Sequence, residues 1–229
     1  MKNLTIKSEF TDNLPADKIL ENTRRQVENA AYSYVNPKQT SNPKVVHTSK
    51  EMASELGILE KDLNTDFFRD IVTGNKIYPN TKPFAMCYAG HQFGNWAGQL
   101  GDGRAINLFE IEHQNKNWKV QLKGAGETPY SRTADGLAVL RSSIREYLCS
   151  EAMHHLGIAT TRALSLSVTG DSVLRDIMYN GNAAYEKGAI VARVSPSFLR
   201  FGSFEIFAAR NDLKNLKKLV DYTINNHFS

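Results

Sequence analysis

The stretch YAGHQFGNWAGQLGDGRA carries Gly90, Gly94, Gly98, Gly101 and Gly103 and ends on Arg104 and Ala105. Glycine lets the backbone adopt positive φ and come close to a phosphate, and a guanidinium fork suits bidentate contact with one. Gly101-Asp102-Gly103-Arg104 is therefore a candidate phosphate loop. It reads equally as a tight turn at the entry of a hairpin, since a lone GxG is not diagnostic. Downstream, Trp118, Val120 and Leu122 alternate with Lys119, Gln121 and Lys123, so one strand face is apolar and the other ends on a lysine. Lys123 at that position can reach a phosphate or stand in water. The KGAGE that begins there is not a Walker A sequence, because no GK[ST] follows at the required spacing.

Three further groups qualify. Asp135-Gly136 closes the loop GAGETPYSRTADG, where an aspartate ordinarily forms an Asx turn. Arg193 and Arg200 flank VSPSFL, and two arginines converging on a glycine loop would clamp a phosphate. Glu146 and Glu151 compete as the carboxylate facing Lys123. Helical geometry sets Glu151 in line with Ile144, and Glu146 on the other side with Val139, Cys149 and Met153, so periodicity does not choose between them.

Other chemistries find little support. His154 and His155 are adjacent, point about 100° apart on a helix and make a poor metal pair. Ser131, Ser142 and Ser143 lack a nucleophile elbow. Cys87 and Cys149 form no CxxC and sit among apolar residues, so both are expected as reduced, buried thiols.

These residues need elements to position them. Residues 1–80 read as a helical, loop-rich extension. ADKILENTRRQVENAAYSYV is rich in helix formers, NPKQTSNPK is loop, and TSKEMASELGI carries a capping box of Thr48 with Glu51 and a stop at Gly57. The glycine-dense stretch from about residue 84 is too flexible for a stable helix or a central strand. RAINLFEI and WKVQLKG, joined by EHQNKN, form a hairpin. LAVLRSSIREYLCSEAMHHLGI is a helix with Leu140, Ile144, Leu148 and Ala152 at i, i+4 spacing, ending at Gly157. ALSLSVTG and GAIVARVS follow as strands, the second stopped by Pro196. SFEIFAARNDLKNLKKLVDYTINNHF completes the chain as a helix broken near Asn211, with Ser203 as its N-cap and Phe204, Phe207 and Ala208 on its buried face.

With 229 residues, 41% hydrophobic and 23% charged, the chain fits an ordinary globular protein, and its net charge is +4. Lysines and arginines are dispersed, apart from the solvated helix face of NDLKNLKKLV, so nucleic acid is not an expected partner. The N-terminus has no secretory apolar core, and no run approaches a membrane span, so a cytoplasmic protein is the default.

The order glycine loop, strand, strand with a terminal lysine, helix, strand, strand matches the small lobe of a protein kinase. Together, YAGHQFGNWAGQLGDGRA, VQLKGAGETPYSRTADGLAVLRSSIREYLCSEAMHHLGIATTRAL and ARVSPSFLRFGSFE resemble, almost motif for motif, the selenoprotein O family of protein adenylyltransferases. YSYVNP and SKEMASELGI extend that resemblance over essentially the whole chain.

The resemblance implies an α+β, kinase-like fold: an antiparallel sheet with an orienting helix over residues 81–200, preceded by the helical extension 1–80 and followed by a linking helical region that begins at 201–229. It implies ATP held in a flipped orientation and AMP transferred to Ser, Thr or Tyr hydroxyls of proteins. Carried over by motif, Gly101, Gly103, Arg104, Asp135 and Gly136 are nucleotide contacts. Lys123 pairs with phosphate, Glu146 is the partner of Lys123, and Arg193 and Arg200 are the arginine clamp. The family's catalytic aspartate and its Mg²⁺ or Mn²⁺ ligands have no counterpart up to Ser229, so the chain is expected to be an N-terminal fragment with most of the large lobe missing, inactive alone. Phosphoryl transfer in the ordinary kinase orientation and a non-catalytic ATP-binding module are the alternatives.

Overall fold

The computed structural model describes residues 1 and 3–228. Its first elements are β1 (Thr5–Lys7), α1 (Glu9–Asn13), β2 (Tyr32–Tyr34), β3 (Lys44–Thr48), α2 (Lys50–Glu55) and α3 (Asp66–Val72). Then come β4 (Phe84–Met86), β5 (Ala89–Gln92), β6 (Asn95–Gln99), β7 (Ala105–His113) and β8 (Lys116–Lys123). β9 (Ala138–Val139) runs directly into α4 (Leu140–His155), followed by β10 (Arg162–Arg175), β11 (Ala184–Ser195), α5 (Phe201–Ala209) and α6 (Leu213–His227).

The chain is mixed α+β around one large antiparallel sheet. Seven strands follow the order β2-β4-β7-β8-β11-β10-β3, with β1 on β7 and β9 on β11, while β5 and β6 form a separate two-stranded ribbon. The predicted hairpin is β7–β8, in register from Ala105 opposite Lys123 to His113 opposite Lys116. Keeping the glycine-dense segment in its own ribbon spares the main sheet those weak positions. One face of the sheet carries the core, where Phe10 stacks on Phe84 at 5.3 Å and Ile106, Leu122, Leu164 and Ile190 are fully buried. A smaller cluster of Tyr147, Ala163, Leu166 and Val191 lies beneath α4.

The extension departs from its helical reading. Its strands are woven into the sheet, and residues 16–31 are irregular rather than helical. Local bonds replace a helix ladder there. Asp17 Oδ1 accepts from Ile19 N, and Arg25 Nη1 donates to the carbonyls of Glu21 and Thr23. The cap of α2 is Ser49, which accepts from Met52 N, because Thr48 is held in the β3–β10 ladder opposite Ser165. Gly57 and Gly157 do end their helices with φ of +70° and +78°.

The face of α4 is also reversed. Ile144 and Leu148 are exposed, and the helix turns Ser143 and Tyr147 to the sheet. Polar partners decide this: the Tyr147 hydroxyl meets His47 Nδ1 at 3.0 Å, and Glu151 accepts twice from Arg162 at 2.9 Å. Cys149 shares the outer face and is exposed, so only Cys87 meets the expectation of burial. In α5 the cap is Arg200, with Ser203 inside the helix accepting from Arg200 N at 3.3 Å. Phe207 is buried as expected, whereas Phe204 is half-buried and Ala208 exposed. The expected break comes at Asn211, φ +54°, between α5 and α6.

Candidate nucleotide site

A cavity of about 400 Å³ opens between the Gly101–Arg104 loop, the end of β8, the loop before β9 and the start of α5. Gly101, Gly103, Arg104, Lys123, Asp135, Gly136, Arg193 and Arg200 all line it. Residues drawn from five separate stretches of sequence thus meet at one opening. Glu146 stands behind them, offering one carboxylate oxygen to Lys123 Nζ and the other to Arg193 Nη1, each at 3.2 Å. The competition between the two helix carboxylates is decided by geometry, since Glu151 is committed to Arg162 and to Ala163 N.

The glycines are required by packing. A Cβ on Gly101, at φ +67°, would lie 2.3 Å from the Tyr130 ring. One on Gly136, at φ +70°, would lie 2.1 Å from the Gly126 carbonyl oxygen. Asp135 does form the Asx turn, accepting from Leu137 N at 3.0 Å, and Arg175 grips both its oxygens at 2.7 and 2.9 Å. Burial alone would raise the Asp135 carboxyl, but the bonds from Arg175 and Leu137 N outweigh it and hold it below the usual range.

The electrostatics of the cavity are lopsided. Arg104, Lys123, Arg132, Arg193 and Arg200 line it, against the carboxylates of Asp102 and Asp135. Asp135 is already neutralised by Arg175, and the Asp102 carboxylate is taken up by Met86 N, Asn107 and Gln121. Burial first, and then the nearby Arg193 charge, hold the Lys123 ammonium below the usual lysine range despite Glu146. Arg200 lies over the Tyr88 ring at 4.9 Å, and burial raises the Tyr88 hydroxyl to about 12. Arg193 Nε is buried with no hydrogen-bond partner. A buried donor of that kind carries a desolvation cost.

Sequence reasoning had Asp102 only as part of the candidate loop and missed Asn107 and Gln121; the three are buried and bonded to one another. Polar side chains at inward positions of β7 and β8 were the available signal. Among the described residues, no three His, Cys, Asp or Glu side chains gather as a metal-holding group, and no helix is long and apolar enough to cross a membrane.

A family model described as "Protein adenylyltransferase SelO" matches residues 18–229, a span that contains every residue lining this cavity. The chain belongs to the SelO family. Similar SelO-type proteins carry the name "Protein nucleotidyltransferase YdiU". That of Flavobacterium johnsoniae is 65% identical over 228 residues, covering 100% of this chain and 44% of the relative. That of Rhodopirellula baltica is 59% identical over 227 residues, covering 99% of this chain and 42% of the relative. The chain therefore spans less than half the length of these SelO relatives.

Proposed function

We propose that this chain supplies the nucleotide-holding part, a kinase-like small lobe, of a protein adenylyltransferase that moves AMP from ATP to Ser, Thr or Tyr hydroxyls of proteins. The observation that carries this reading is the excess of guanidinium and ammonium groups, those of Arg104, Lys123, Arg132, Arg193 and Arg200, around one cavity. A triphosphate is the kind of ligand that would balance that charge. Arg104, Arg193 and Arg200 hold its oxygens. Lys123, kept in place by Glu146, adds a point charge whose depressed proton affinity rises again when an anion binds. Gly101, Gly103 and Gly136 let their loops pack closely against Tyr130 and Gly126 and so shape the cavity wall.

In the reaction a protein hydroxyl oxygen bonds to the α-phosphorus, the bond from that phosphorus to the β-bridging oxygen breaks, and pyrophosphate leaves. The hydroxyl proton goes to a base outside these 229 residues. A divalent cation, Mg²⁺ or Mn²⁺, would neutralise triphosphate charge when bound. In this reading its ligands come from the part of the longer protein outside these 229 residues. A cytoplasmic, reducing setting is part of the same reading and agrees with two free cysteines.

Calorimetric titration of ATP into the chain tests the binding step: the unsubstituted chain binds and Lys123→Ala does not. Full affinity in Lys123→Ala sinks the assignment. For the transfer step, the longer protein is incubated with an acceptor and ATP labelled at the α- or the γ-phosphate. AMP transfer leaves only α-label on protein; retained γ-label means phosphoryl transfer instead.

A further inference from the structure

Beside the cavity, Asn107, Gln121 and Arg193 form a transverse row on three neighbouring strands, β7, β8 and β11. Asn107 is the register partner of Gln121, and Gln121 that of Arg193. Gln121 is 1% exposed, Asn107 2% and Asp102, in the glycine loop, 4%. Arg193 Nη2 donates to Gln121 Oε1. At its other end Gln121 Nε2 donates to Asn107 Oδ1 at 3.2 Å and to Asp102 Oδ2 at 3.3 Å. The same Asp102 oxygen accepts from Asn107 Nδ2 at 3.3 Å and from Met86 N at 3.1 Å.

Chemistry fixes the direction of this chain. A guanidinium only donates and a carboxylate only accepts, whereas an amide has one end for each. An amide lying between Arg193 and Asp102 must turn its oxygen to the arginine and its nitrogen to the aspartate. A flipped Gln121 would set donor against donor at one end and acceptor against acceptor at the other. Glu146 occupies Nη1 of the guanidinium and Gln121 occupies Nη2, so Nε is the position without a protein partner.

We infer that Gln121 is a positioning residue for nucleotide binding: it couples the Asp102 carboxylate of the glycine loop to Arg193 and holds that guanidinium in place in the cavity wall. The inference rests on the nucleotide reading above and adds to it a residue that touches no ligand. Gln121 acts through Arg193, and that makes it distinguishable from a buried glutamine that merely satisfies its neighbours.

The test is a double-mutant cycle on ATP affinity, measured by calorimetry for the chain and for Gln121→Leu, Arg193→Ala and the double variant, with a thermal melt of each. Gln121→Leu is expected to weaken ATP binding about tenfold, the scale of one lost charge-assisted hydrogen bond. In the Arg193→Ala background the same change is expected to have less than about a twofold effect, because coupled residues are not additive. Equal losses in both backgrounds, or no loss from Gln121→Leu, overturn the inference. Should Gln121→Leu fail to fold, Gln121→Glu keeps the shape but sets a carboxylate against Asp102. It is expected to weaken ATP binding, and Asp102→Asn added to it is expected to restore most of the affinity by returning an amide opposite a carboxylate. No restoration overturns the inference as well. An unsubstituted chain that binds no ATP fails earlier and removes the nucleotide reading itself.

Discussion

Lys123 and Glu146 meet at 3.2 Å between the end of β8 and the second turn of α4, each side chain one-quarter exposed. The contact is half of a shared arrangement, because Glu146 also accepts from Arg193. One carboxylate therefore stands between two cations that would otherwise face each other, and the Arg193 charge is one cause of the depressed Lys123 ammonium. A partly buried cluster of this kind contributes little net stability, and on the proposed function its purpose is to receive an anion.

Lys123→Met separates those two purposes. Removing the lysine takes away a partly buried charge and leaves Glu146 paired with Arg193. Unfolding free energy is expected to stay within about 1 kcal/mol of the unsubstituted chain or to rise. ATP affinity is expected to fall at least tenfold, by about 1.4 kcal/mol or more. Urea denaturation and calorimetry on the same two samples check both halves.

Glu151→Gln addresses the other helix carboxylate. Burial would raise the Glu151 carboxyl, but hydrogen bonds from Arg162 and Ala163 N overcome that and bring it below its ordinary 4.5. A depressed carboxyl stabilises the fold above its unfolded value, and the benefit goes as pH falls through the lower folded value. The variant is expected to lose about 1–2 kcal/mol at neutral pH. The gap between the two proteins should be constant above about pH 5 and close progressively below pH 4.5. Melting temperatures across that range supply the measurement, and a gap that persists at low pH contradicts the pairing.

Gly136→Ala tests the cavity wall. With φ at +70° and the Gly126 carbonyl oxygen 2.1 Å from the new Cβ, the loop must shift. A loss of roughly 2–3 kcal/mol in stability is expected, together with weaker ATP binding. Gly157→Ala, also at positive φ but with open space around its Cβ, serves as the comparison and is expected to leave ATP affinity unchanged.

The two thiols should differ sharply. Burial pushes the Cys87 thiol up to about 12, while Cys149 lies on the exposed face of α4. An aromatic disulfide reagent is expected to titrate one thiol quickly in the native chain and the second only on unfolding. Two fast thiols would place Cys87 nearer solvent than described.

The site was more legible in sequence than the elements around it. Lys123 could be placed on a strand end by period-two alternation, and the later β7–β8 register put it beside Ala105 at the glycine loop. Arg193 and Arg200 gained meaning only with the resemblance, since local pattern gives an arginine no partner. Helix formers between residues 16 and 35 misled because Asp17 and Arg25 close side-chain bonds that compete with the helix, and Tyr32–Tyr34 is taken into the sheet. The apolar spacing on α4 misled for the opposite reason. Its buried side is chosen by Tyr147, Glu146 and Glu151, which have partners on the sheet, and no hydropathy pattern records a partner.

Strands β2 and β3 lie close in the chain yet occupy opposite edges of the large sheet. Residues 35–43 run between them like a belt, tied down by Val35 N to Pro83 O, Lys38 N to Ala125 O and Asn42 N to Thr169 O. Laid flat, the path across seven strands spans about 29 Å, and the ten steps from Tyr34 to Lys44 reach about 33 Å when extended. On that flat measure the belt has little slack. Shortening it by three residues would force the sheet to curl or an edge strand to let go, while lengthening it would merely make a surface loop. Natural length variation at this point of the chain should therefore run toward insertion.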